Sequence, residues 1–141
     1  MDRLSFERIW EDDGFFEIKV TAQSEIISAA TASYTDNERI GKLSSRLKSF
    51  PLSDDDSFFW ENGEKGDWSA ACFSLLFTCK DKLGHIRIEV YMELDDGGAY
   101  SKHNCCFYIY TEPGALNEFG RDLARLLTPG CGQKAELNLQ E

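Results

Sequence analysis

Alternation of apolar and polar residues opens the chain. Leu4 and Phe6 alternate with polar neighbours, and Phe16, Ile18 and Val20 alternate with Glu17 and Lys19. Asp12-Asp13-Gly14 lies between these runs, where a glycine free to take positive φ favours a tight turn, so a β-hairpin is expected. Glu25 to Tyr34 reads as a weaker strand rich in small residues, as if something packs close against it. The period then changes. Ile40, Leu43, Leu47 and Phe50 form one helical stripe, Thr35 and Glu38 have capping-box spacing, and Pro51 stops the helix.

Short strands follow. Ser57 to Gly63 reads as a strand running into a turn. Trp68 to Cys79 places Phe73, Leu75 and Phe77 on one face and Cys72, Ser74 and Leu76 on the other. After the Asp81–Gly84 turn, Ile86, Ile88, Val90, Met92 and Leu94 face one way, while His85, Arg87, Glu89, Tyr91 and Glu93 face the other. This is the alternation of an antiparallel strand with one wet face. A turn at Asp95 to Ser101 leads to His103–Tyr110, with Cys105, Phe107 and Ile109 toward the core and Cys106, Tyr108 and Tyr110 opposite. The last helix starts near Pro113 and buries Leu116, Phe119, Leu123, Leu126 and Leu127. Gly120 inside it costs about 1 kcal/mol relative to Ala, which close approach to the sheet is expected to offset.

The predicted architecture is α+β: a curved, mainly antiparallel sheet of about six or seven strands, with two amphipathic helices on one face. Residues 1–130 are expected to form one domain and residues 131–141 a loosely ordered C-terminal tail.

Composition narrows the function classes. The 141 residues suit one core, and the 25 acidic against 15 basic residues give a net charge of −10. That charge repels nucleic acid phosphates and anionic membranes. It suits a basic protein partner and equally serves solubility. With neither a signal-type apolar segment nor a run of transmembrane length, a cytoplasmic protein is expected, its five cysteines free thiols.

The residues that carry chemistry do not assemble into a recognised set. His103 and Cys105 share a strand face, but a zinc site needs about four ligands and no Cys-x₂₋₄-Cys pair occurs, so no metal is expected. Cys105 and Cys106 lie in a strand without a neighbouring base or a helix N-terminus to activate a thiol. Glu89 and Glu93 stand two pleats apart, and no phosphate-binding glycine loop is present. His85 follows a turn glycine, where a structural hydrogen bond is expected. No catalytic residue and no cofactor are therefore expected. A surface remains: Arg87, Glu89, Tyr91 and Glu93 with Tyr108 and Tyr110 on the next strand, beside the acidic loop Asp54, Asp55 and Asp56. Tyr and Arg are enriched at protein interfaces. The other reading of these tyrosines is that they pack under a curved sheet edge.

The succession DGFFEIKV, DKLGHIRIEVYMEL and CFYIYTEPGALNEFGRDLARL resembles the WapI-like immunity proteins of bacterial polymorphic-toxin systems. The likeness covers residues 12 to 127 in order of elements, with Gly84–His85 and Thr111 to Leu127 as the specific matches. It implies a cytosolic, non-enzymatic binding protein that neutralises a cognate toxin by occlusion; the chain itself is expected to be a monomer or weak dimer. A basic nuclease-type toxin fits the charge. The alternative is a small-ligand-binding protein or enzyme with a pocket between sheet and helices.

Overall fold

The computed structural model describes residues 2–64, 71–94 and 103–138. Trp68 to Ala70, the Asp95–Ser101 turn and the last three residues lie outside them. The fold is α+β, with eight strands in two antiparallel four-stranded sheets rather than one curved sheet. In chain order these are β1 (Arg3–Asp12), β2 (Phe15–Gln23), β3 (Ser28–Thr35), α1 (Asn37–Leu47), β4 (Ser57–Asn62), β5 (Phe73–Cys79), β6 (Ile86–Glu93), β7 (Asn104–Thr111), α2 (Pro113–Asp122), a 3₁₀ turn at Leu123–Leu127 and β8 (Lys134–Asn138). The first sheet has the order β3-β2-β1-β8, and the second β4-β5-β6-β7.

β8 corrects the expected tail. Ala135 and Leu137 are too few to announce a strand, but they sit opposite Phe6 and Leu4 and extend the apolar rows of β1. The first helix also starts differently. Thr35 is a buried strand residue paired with Phe16, and the cap is Asp36, whose Oδ1 accepts from the Arg39 N–H at 2.9 Å. A strand that runs to the cap leaves the threonine no freedom to serve as one.

The inner faces of both sheets and the helical stripes share one core. The Phe6 ring meets Trp60, Phe73 and Phe119 at 5.8–6.0 Å, joining β1, β4, β5 and α2 at one point. The helices pack closely on each other. A Cβ on Gly120 would stand 2.8 Å from the Lys48 backbone nitrogen, so the glycine admits the end of α1 rather than the sheet. Ser44 Oγ donates to Gly120 O at 2.6 Å, and Asn117 Nδ2 donates to Leu47 O and Phe50 O at 2.8 and 2.9 Å. These bonds satisfy carbonyls that the end of a helix otherwise leaves open.

A buried polar seam joins the sheets. Thr31 Oγ1 on β3 donates to Glu93 O at 2.9 Å, Ser33 Oγ donates to Ala71 O at 3.4 Å, and Asn62 Nδ2 donates to Ser33 Oγ at 2.6 Å. The small residues of β3 permit this approach, which accounts for their abundance in that strand.

Candidate interaction surface

β6 carries the predicted alternation. Ile86, Ile88, Val90 and Met92 are buried on one face, while Arg87, Glu89 and Tyr91 are half-buried on the other. The register sets them in rows. One row crosses the second sheet as Phe59, Leu76, Glu89 and Tyr108, and the next as Ser57, Thr78, Arg87 and Tyr110. Both tyrosines are exposed, Tyr108 at 45%, and their rings lie 6.5 Å apart. The Arg87 guanidinium sits 4.9 Å from the Tyr108 ring centroid, and Lys80 Nζ 5.0 Å from that of Tyr110. Stacked cations of this kind hold aromatic rings in place without removing them from solvent. Phe59, 56% exposed on the opposite outer strand of the same row, adds an exposed ring at the far edge that the sequence pattern did not reveal. Its partner across β5 becomes readable only once the pairing of β4 is known.

Glu93 does not belong to that surface. Its side chain is fully buried, Oε1 accepts from the Cys72 N–H at 3.0 Å, and Oε2 accepts from the Tyr91 hydroxyl at 2.8 Å. Burial, and then the neighbouring Glu93 carboxylate, push the Tyr91 phenol well above its ordinary value of 10.0. A carboxylate at the end of a strand, beside the seam, serves as a hydrogen-bond hub instead of a wet-face charge.

The acidic loop divides similarly. Asp54 and Asp55 are exposed, whereas Asp56 binds the Arg46 guanidinium and accepts from the Leu52 N–H at 2.8 Å. The Arg46 hydrogen bond holds the Asp56 carboxyl below its usual range. Burial first, then Asp54, Asp56, Asp55 and Asp81, push the Cys79 thiol up. The acidic loop therefore gathers at the Cys79 end of β5, beside the row that carries Arg87 and Tyr110.

In the His103–Tyr110 segment Cys105 is half-buried, and burial raises its thiol pKa, which works against thiolate formation. Cys106 and His103 are exposed. Among the described residues no three His, Cys, Asp or Glu side chains converge as a metal would require. His85 closes its own turn, with Nδ1 2.7 Å from Asp81 Oδ2.

A second aromatic group also escapes the sequence pattern. Trp10, Phe15 and Tyr34 meet at centroid distances of 5.7–6.0 Å on the outer face of the first sheet. By spacing alone Trp10 continues the inward series of Leu4 and Phe6, and only the strand register reveals otherwise.

The class this geometry defines is an α+β protein of two antiparallel sheets with an open aromatic sheet face. No protein-family model, curated protein or solved structure matches the chain. Among the described residues no helix is long and apolar enough to cross a membrane.

Proposed function

We propose that this chain is a non-enzymatic protein-binding module whose partner is a basic protein, acting as an immunity-type protein that neutralises a cognate bacterial toxin by covering it. The observation that carries this reading is the row Phe59–Leu76–Glu89–Tyr108. It crosses a four-stranded sheet and leaves aromatic rings in water at both edges. Exposed tyrosine rings beside an arginine match the residue types enriched at interface hot spots. The net charge of −10, with Asp54 and Asp55 exposed, favours a basic partner over nucleic acid or an anionic membrane. A basic nuclease-type toxin would suit that acidic surface.

The other reading requires a pocket between sheet and helices. Phe6, Phe73, Trp60 and Phe119 fill that space in ring-to-ring contact, which favours binding at the surface. The test is co-expression with the product of the gene adjoining its own. The proposal expects that product to arrest bacterial growth and this chain to restore it by forming a stable complex. Continued arrest with both proteins soluble, or an adjoining product that is harmless, would overturn the immunity reading.

A further inference from the structure

We propose that Trp10, Phe15, Tyr34 and Glu17 form a receptor for an arginine or lysine side chain presented by a basic protein segment. The inference rests on the reading of a basic protein partner, and it assigns that partner a second point of attachment, away from the Phe59–Tyr108 row.

The backbone creates the site. Leu4, Phe6 and Arg8 face inward at every second position of β1, and an unbroken strand would turn Trp10 inward too. The pairing of β1 with β2 shifts instead between Arg8 and Trp10, so Ile9 is an extra residue and Trp10 pairs with the outward-facing Glu17. Hydrogen bonds on the other side hold the bulge, from Arg8 N–H to Gln133 O at 2.9 Å and from Gly132 N–H to Arg8 O at 2.7 Å. A bulge re-aims a side chain, and here it delivers an indole to solvent.

The chemistry gathered there suits a cation. Glu17 pairs across the strands with Trp10 on one side and Tyr34 on the other, and Phe15 precedes it by two residues on the same face. The rings form a nearly equilateral triangle and stay 44%, 41% and 54% exposed for Trp10, Phe15 and Tyr34. An aromatic face attracts a cation through its quadrupole, Trp most strongly, and a carboxylate beside it adds a charge partner. Among the described residues no cation pairs with Glu17, Asp12 or Asp13. The nearest basic side chain on that face, Lys19, stands opposite Glu7.

The site is also accessible. A cleft of about 560 Å³ lies over the hairpin turn and touches the site at Phe15; Glu11, Asp12 and Asp13 line it together with Arg8, whose charge Glu11 answers at 2.9 Å. The exposed Asp12 and Asp13 carboxylates add negative charge at the turn beside Phe15, which favours the approach of a basic segment.

The experiment titrates the whole protein with a hexa-arginine peptide and with its uncharged citrulline counterpart, following the indole N–H signals by NMR. The Trp10 signal is expected to move with the arginine peptide and not with citrulline, while that of buried Trp60 stays in place. Trp10→Leu and Glu17→Gln should each weaken peptide binding at least about tenfold, Trp10→Phe should retain part of it, and Glu38→Gln should leave it unchanged. Equal weakening by Glu38→Gln and Glu17→Gln, or Trp10→Leu binding as well as wild type, would overturn the proposal in favour of diffuse charge attraction. Either failure leaves partner binding through Phe59 and Tyr108 to be judged separately.

Discussion

The backbone N–H of Cys72 donates to Oε1 of Glu93 at 3.0 Å, while the Glu93 N–H donates back to Cys72 O at 2.9 Å. This reciprocal pair fastens the segment preceding β5 to the end of β6, and Thr31 fastens the same residue to β3. Removing the carboxylate leaves a buried N–H without its acceptor. Glu93→Ala is therefore expected to destabilise by about 3 kcal/mol, and Tyr91→Phe by about 1 kcal/mol. Urea unfolding midpoints check both, and a Glu93→Ala midpoint equal to that of wild type would show that the carboxylate does not fasten the segment before β5 to β6.

Two helix glycines should respond with opposite signs. A methyl group placed on Gly41 in α1 has nothing within 4 Å of it, so Gly41→Ala gains helix propensity, up to about 1 kcal/mol. At Gly120 the same methyl would meet α1 backbone at 2.8–3.0 Å, and Gly120→Ala is expected to lose about 1–3 kcal/mol through overpacking. Thermal unfolding of the two variants measures the contrast.

The Arg46–Asp56 pair makes a pH prediction. Its hydrogen bonds lower the folded pKa of Asp56 from the ordinary 3.8, so the stabilisation is complete above that value and is lost as pH falls through the lowered pKa. Asp56→Asn should melt below wild type at pH 7, and the gap should close as the pH is taken progressively below the ordinary 3.8. A gap that stays constant across that range would show that the charge is not its source.

Most of the architecture was legible because period-two alternation survives wherever one face is buried. It placed β2, β6 and β7 and correctly divided Cys105, Phe107 and Ile109 from Cys106, Tyr108 and Tyr110. The division into two sheets was not legible, because it depends on which strands pair, and β8 has only Ala135 and Leu137 to announce it. Glu93 shows a second limit. Alternation gives the side of a strand but not what covers it, and the seam covers Glu93 while leaving Tyr108 in water. Trp10 shows a third: one extra residue at Ile9 reverses its face, and nothing in the local pattern marks the bulge.

On the proposed reading, the open face of the second sheet holds a basic protein partner. The most direct test is the dissociation constant for the partner obtained by co-expression, wild type against the Phe59→Ala/Tyr108→Ala double variant. Both side chains are substantially exposed, so the variant should fold with a melting temperature near that of wild type. Binding is predicted to weaken at least about thirtyfold. Unchanged affinity in a folded double variant would contradict the claim.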